Sequence, residues 1–286
     1  MSVFRRATST APRLLVVGLI VFAASCRRAQ QPTVTTTTTP IRDREPVAVP
    51  KPSPAPSAAP ISSAASLLDA MYDRYAGKWY RTMTFVQKTT ISLASGSELR
   101  QTWHEAGAFP GRLRIDTDLA SNNGVLYARD SVFSVMNGKV VRADTGRNEL
   151  LILGFDVYAQ PVAQTEAALR KAGFNLSKFH EGTWQGRAVF VVGAEKGDTL
   201  SKQFWVERDR LLFVRMLSKT PQGRSDWRFD DYREMGGGWI AMRVEQFVNG
   251  KRRLLEEYAD VKVNVSLPPA LFEAAHWTTA PHWTRQ

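Results

Sequence analysis

The chain has 286 residues, with 38 lysines and arginines against 27 acidic residues and a formal net charge of +11. Its single cysteine excludes a disulfide within one chain, and the sequence has no Gly-x-Ser-x-Gly elbow, P-loop or dinucleotide fingerprint. The basic residues are scattered and form no nucleic-acid-binding motif, so we predict no nucleic acid partner.

The first 25 residues have the pattern of an export signal. Arg5, Arg6 and Arg13 precede or flank an unbroken apolar run at 14–24, which as a helix would cover about 16 Å and is too short to span a bilayer. Small residues then lead to Cys26. This resembles the lipobox of bacterial lipoproteins, in which the cysteine is lipidated and becomes the new amino terminus, although Ala23 stands where leucine is usual.

We therefore predict a lipoprotein signal peptide at 1–25 and lipidation of Cys26, which would tie the chain to a membrane. An ordinary secretory signal with a chance cysteine is the alternative interpretation. In bacterial lipoproteins an aspartate after the cysteine retains many members at the inner membrane. Arg27 stands there instead, so the resemblance implies an outer-membrane lipoprotein facing the periplasm.

Residues 26–61 begin at the anchor cysteine and contain eight of the fifteen prolines, a run of five threonines and no aromatic residue. Such a segment cannot bury enough apolar surface to offset the entropy of ordering it. We predict a disordered tether, which at about 3.1 Å per residue reaches at most roughly 100 Å.

The folded domain is expected at 62–275, with 276–286 as a C-terminal tail. Ser62 or Ser63 can cap a helix at 63–76 that Gly77 ends. Two further helices are expected at about 148–156 and 162–172, where the apolar residues do not alternate. The apolar stripe of the first helix consists of Leu67, Leu68, Met71, Tyr72 and Tyr75.

After Gly77, turn residues recur every 11 to 16 positions and separate alternating apolar and polar runs. This predicts about ten or eleven strands in an antiparallel meander with one apolar face. Asp226, Arg228 and Asp230 would lie on the solvated face, and Asp230-Asp231 would close a hairpin. The predicted apolar-face sets are Trp79, Met83, Phe85 and Ile91; Leu113 and Ile115; Trp227 and Phe229; and Ile240, Met242, Val244 and Val248.

The order of several short motifs resembles that of the LolA/LolB-like superfamily of lipoprotein-localisation proteins, over residues 63–275. The motifs are Phe85-Val86-Gln87-Lys88, the tryptophan strand at Trp103, "FPGRLRID" at 109–116, and the late strands that end in "NGK" at 249–251. The resemblance implies a mainly β fold: an incomplete antiparallel β-barrel of about eleven strands, covered by two or three helices.

The resemblance also implies a binding protein and not an enzyme, monomeric, without a cofactor, whose cavity takes acyl chains of lipids or lipoproteins for localisation to the outer membrane. From the residues alone, the helices could instead close the apolar face into a plain core. The alternative function is therefore an envelope sensor or assembly lipoprotein that binds a protein partner. The predicted cavity residues are Met83, Phe85, Trp103, Leu113, Ile115, Tyr127, Phe133, Val135, Phe204, Val214, Trp227, Phe229 and Met242.

One departure from the superfamily pattern bears on the carrier interpretation. The carrier branch of the superfamily has a lid-latching arginine before the proline of the turn that follows the tryptophan strand, whereas Phe109 stands here. Either Arg112 or Arg114 substitutes, or the latch is absent. The receptor branch uses a protruding loop, for which 119–125 is the candidate. The histidines, among them His104, His180, His276 and His282, lack metal-ligand spacing, so we predict no metal site.

Overall fold

The computed structural model describes residues 60–128 and 130–285. The predicted signal peptide, Cys26 and the tether up to residue 59 lie outside the described residues. Across the part of the chain that is described, no helix combines the length and the apolar character that a membrane crossing requires.

One antiparallel sheet of thirteen strands forms the frame of the described domain, in the order β6-β5-β4-β3-β2-β1-β13-β12-β11-β10-β9-β8-β7. Two meanders meet where β1 pairs with β13, and the sheet is open, with β6 and β7 at its edges. The strands are β1 Thr82–Ser92, β2 Glu98–Ala108, β3 Arg112–Asp118, β4 Asn123–Ala128, β5 Ser131–Met136, β6 Lys139–Thr145, β7 Phe179–Trp184, β8 Arg187–Val192, β9 Gln203–Glu207, β10 Leu212–Thr220, β11 Gly223–Met235, β12 Gly238–Val248 and β13 Lys251–Val263.

The predicted mainly β class is confirmed, but the strands number thirteen where about eleven were expected. The edge strands explain the difference. In β6 nearly every residue is exposed, and β7 has no buried residue, so neither strand carries the apolar alternation by which sequence analysis recognises a half-buried strand.

Three α-helices pack on one face of the sheet, which we call the inner face: α1 Ala64–Tyr75, α2 Glu149–Gly154 and α3 Val162–Lys171. Each agrees with a predicted helix to within two residues at either end. Ser63 caps α1 in a capping box with Ser66. The side chain of Asn148 caps α2 by accepting from the amides of Leu150 and Leu151.

The main core lies between these helices and the inner face. At its centre the rings of Trp79 and Tyr158 stack with centroids 3.9 Å apart, and Tyr75 packs edge-on against both. The Tyr158 hydroxyl accepts from the amide of Phe213 and donates to the carbonyl of Leu211. The segment Asp156–Tyr158, a short 3-10 helix after α2, is thereby fixed to β10.

The opposite, outer face of β2 to β5 is covered by the C-terminal residues 267–285, which run in short 3-10 turns. Trp277 is buried there against the sheet. The residues from 276 that sequence analysis treated as a tail therefore pack on the domain, because this part of the sheet is apolar on both faces and needs a second cover.

Beneath the same C-terminal residues, the Arg114 guanidinium lies 3.8 Å from the Trp277 ring centroid and forms two 2.9 Å bonds to the carboxylate of Asp116. His282 Nε2 lies 3.2 Å from the same carboxylate. This buried cluster ties the chain's end to β3.

Two predictions about β11 are wrong. Asp226 lies on the outer face but is buried, because the guanidinium groups of Arg215 and Arg228 both bind its carboxylate. Asp230-Asp231 do not close a hairpin. Asp231 has a φ of +51° inside β11, which continues past it in the same register with β12, and the chain turns at Gly236-Gly237 instead.

Candidate functional site

A cleft of about 420 Å³ opens between α2 and the ends of β10, β11 and β12 on the inner face. Its volume falls in the range typical of small-molecule sites. We call it the main cleft. Its walls combine apolar and aromatic side chains with a few hydroxyl, amide and charged groups. It is lined by Asn148, Glu149, Leu150, Leu200, Lys202, Met216, Ser218, Lys219, Thr220, Pro221, Ser225, Trp227 and Gln246.

A smaller space of about 40 Å³, which we call the inner chamber, lies deeper under α2 and shares Asn148 and Leu150 with the main cleft. A volume of this size holds a few waters or one small polar group. It is lined by Gln87, Trp103, Glu105, Leu113, Ile115, Asn148, Leu150, Leu151, Phe155, Phe229, Glu256 and Tyr258.

The chamber contains two buried carboxyl groups. Glu105 and Glu256 are 3% and 6% exposed. Burial raises the pKa of Glu105 well above its ordinary value, and the neighbouring charges of Glu256 and Asp116 raise it further. Burial also raises the pKa of Glu256 to about 7, against the opposing effect of hydrogen bonds from Tyr258 and Gln87. The innermost wall of the site is therefore polar and proton-binding.

The cover of the chamber, residues 149–158, is held to the sheet by two contacts at the turn before β3. The rings of Phe109 and Phe155 stack with centroids 4.6 Å apart. The buried carboxylate of Asp156 accepts from the amide of Gly111 at 2.8 Å.

An arginine also holds this cover, although not one of the two considered from the sequence. Arg81 donates to the carbonyl of Ala159 at 2.8 Å. Arg112 and Arg114 share the outer side of β3, and Arg114 is committed to Asp116 under the C-terminal residues. Neither takes the place of the latching arginine.

The mouth of the main cleft carries charge and one exposed leucine. Lys202 Nζ binds the carboxylate of Glu149 and donates to the carbonyl of Ala172. Leu200 is 74% exposed, the most exposed large apolar side chain in the described residues. Its loop is fixed, since the Asp198 carboxylate accepts from the amides of Leu200 and Ser201.

The thirteen predicted cavity residues fall into three groups. Trp227 lines the main cleft, and Trp103, Leu113, Ile115 and Phe229 line the chamber. A second group belongs to closed core on the inner face and lines neither space: Met83, Phe85, Tyr127, Phe204 and Met242.

The third group lies on the outer face and is a correction to the prediction. Phe133 and Val135 pack under the C-terminal residues. Val214 packs with Val189 and Val191. An irregularity between Phe213 and Arg215 breaks the alternation of β10, so Val214 faces away from the helices.

Sequence reasoning missed the polar wall and the cover of the site. Glu105 shares the parity of Trp103 in β2, and Glu256 shares that of Leu254 in β13. Alternation therefore already placed both acids on the inner face. The sequence around Leu150 and Phe155 does not show which way these side chains point, because a six-residue helix is too short for an apolar periodicity.

The predicted loop at 119–125 does not approach the main cleft, since none of its residues lines it. The side chain of Leu119 is 36% exposed. The Asp118 carboxylate closes the turn by accepting hydrogen bonds from the amides of Ala120 and Ser121.

No family model matches the chain, and a search of curated proteins finds no match. Among solved structures, a protein domain named for outer membrane lipoprotein sorting, from Vibrio parahaemolyticus, matches with a TM-score of 0.51 and 11% identity, covering 74% of this chain and 97% of that one.

Two further structures match at lower TM-scores. A LolA superfamily protein from Nitrosomonas europaea has a TM-score of 0.46 and 13% identity, covering 74% of this chain and 98% of that one. A DUF1329 family protein from Desulfovibrio piger has a TM-score of 0.48 and 15% identity, covering 75% and 97%. The described domain, an open antiparallel sheet with three helices on one face, shares its fold with the Vibrio parahaemolyticus domain.

Proposed function

We propose that this chain is a lipid-anchored envelope protein that binds the acyl chain of a lipid or lipoprotein in the main cleft. The observation that carries the proposal is the cleft of about 420 Å³ between α2 and the inner face, with Leu150, Met216 and Trp227 in its walls, on a LolA-like fold. Burial of apolar chain against such walls releases roughly 25 cal/mol for each Å² removed from water.

The anchor and the location form part of the same proposal. Cys26 carries the lipid, and the segment that follows it tethers the domain to the outer membrane on the periplasmic side. The action is reversible binding and hand-over, without covalent chemistry. A Cys26→Ser variant should lose incorporation of a labelled fatty acid and move from the membrane fraction to the soluble fraction, and retention of both label and membrane would contradict the anchor.

Binding can be tested with a neutral single-chain lipid, monododecanoylglycerol, followed by tryptophan fluorescence because Trp227 lines the cleft. Leu150→Asp places a charge in the cleft wall at the first turn of α2, where an acidic residue suits the helix dipole. We expect at least a tenfold weaker affinity, since a buried leucine contact is worth about 1.5 to 3 kcal/mol.

The matched control is Leu99→Asp, at an exposed leucine of β2 that lines neither space. It should bind as the unchanged protein does. Equal affinity of the Leu150 and Leu99 variants, or no binding by the unchanged protein, would contradict acyl binding in this cleft.

One observation favours the second candidate, an envelope sensor or assembly lipoprotein with a protein partner. Five predicted cavity residues are closed core, and the space beneath α2 is only about 40 Å³. Failure of all lipid probes, together with an intact fold, would support that candidate.

A further inference from the structure

The inner chamber contains two carboxyl groups that have no basic partner among the described residues. Within residues 60–128 and 130–285, neither Glu105 nor Glu256 forms an ion pair, and Glu105 receives no hydrogen bond. The Tyr258 hydroxyl lies 3.5 Å from Glu256, at the limit of a hydrogen bond. Two buried carboxyl groups without a cation carry a large desolvation cost when they are ionised.

The donors around the chamber serve the two carboxyl groups only in part, since Tyr258 and Gln87 hydrogen-bond to Glu256 and other donor contacts go elsewhere. The Gln87 amide donates to the Thr89 hydroxyl at 2.9 Å, and the Trp103 indole donates to Gln101 at 3.1 Å. Among residues 60–128 and 130–285, no lysine or arginine lines the chamber. Burial favours the protonated form of both groups, and a ligand that holds them ionised must bring both donors and positive charge.

The shape of the site limits what that ligand can be. The chamber admits a small group, whereas the main cleft that adjoins it at Leu150 admits a chain. Trp103 and Tyr258 add aromatic surface, which attracts cations. A fatty acid carboxylate in the chamber would face two acids and, in the part of the chain that is described, no basic lining residue.

We propose that the inner chamber binds the primary ammonium group of an amphiphile whose apolar chain lies in the main cleft, with Glu105 and Glu256 as counter-ions. This rests on the proposed function, and it names the class of cargo: a single-chain or lipid amine. The protein as a whole is strongly basic, so general electrostatics disfavours a cation, and a preference for an amine would have to come from these two carboxylates.

The test compares dodecylamine, dodecanol and dodecanoate, below their micelle concentrations at pH 8, by calorimetry with the purified protein. We expect dodecylamine to bind at least tenfold more tightly than dodecanol, and dodecanoate to bind more weakly than both. Equal or weaker binding of the amine would overturn the proposal, as would tightest binding of dodecanoate.

Variants locate the effect. Glu105→Gln and Glu256→Gln keep the shape and remove a buried charge, so both should fold, which thermal melts verify. Each should reduce the amine's advantage over dodecanol to less than threefold. The control is Glu257→Gln, the next residue, whose side chain is 54% exposed, and it should keep the full preference.

An unchanged preference in both chamber variants would overturn the assignment of the counter-ions. The failure of the underlying function looks different. If none of the three compounds binds the unchanged protein, acyl binding itself is contradicted. If dodecanol binds and the amine binds no more tightly, only the proposed ammonium site is contradicted.

Discussion

Replacement of Trp277 by alanine tests whether the C-terminal residues are part of the domain. Trp277 is 2% exposed, its indole donates to the carbonyl of Asn122 at 3.2 Å, and its ring covers Arg114. It also lies against Gly124, where an added Cβ would approach the ring to 2.7 Å. The side chain therefore fills a site that no neighbour can occupy in its place.

The expected cost follows from these contacts. Truncation of a buried tryptophan to alanine costs about 3 to 5 kcal/mol, and the lost hydrogen bond and cation–π contact favour the upper part of that range. For a domain of this size each kcal/mol lowers Tm by roughly 2 to 4 °C. We expect a fall of about 8 to 20 °C in a thermal melt followed by circular dichroism.

The matched control is Trp283→Ala in the same C-terminal residues. Trp283 is half-buried and its ring lies 5.8 Å from the Arg114 guanidinium, so about 1 kcal/mol is expected. Equal melting temperatures for the Trp277 variant and the unchanged protein, or for a chain that ends at residue 275, would refute the packing described here.

Three other predictions concern the cover and the buried charges. Phe109→Ala removes the ring stack on the cover, and amide hydrogen exchange should rise at 149–158 and remain unchanged in α1; protection equal to the parent's would contradict the contact. Burial raises the pKa of Asp156 to about 7, above the unfolded value of about 3.9, so the folded state binds more protons between those values and loses stability as pH rises through them. Asp156→Asn should therefore lessen the decline of urea stability from pH 4 to 7, without abolishing it, and an unchanged slope would count against this origin. Asp226→Ala leaves the buried Arg215 without its carboxylate and should cost about 3 to 5 kcal/mol in urea unfolding, whereas a loss below 1 kcal/mol would show that the pair is not buried in solution.

The sequence predicted the fold because its signals are local and repeated. Capping at Ser63, alternation in β1, β3 and β12, and turn residues at regular spacing each follow from short-range chemistry. Alternation also separated Leu113 and Ile115 from Arg114 correctly. The alternation pattern of a single strand does not show which of its two faces lies against the helices.

That limit explains the errors about the site. Both faces of β5 are apolar because the C-terminal residues cover its outer face. The sequence therefore does not show that Phe133 and Val135 lie on that outer face. In β10 a bulge reverses the parity at Val214. Alternation places Glu105 and Glu256 on the inner face, but the predicted cavity was purely apolar and did not include them.

The central claim is that the main cleft holds an acyl chain. Lipid mass spectrometry of the full-length protein, purified from its own cells without added lipid, tests this most directly. The account predicts an extract with an acyl-chain lipid near one per protein, enriched in amine-bearing species, and depleted by Leu150→Asp but not by Leu99→Asp. An extract as empty as that of the Leu150 variant would contradict it.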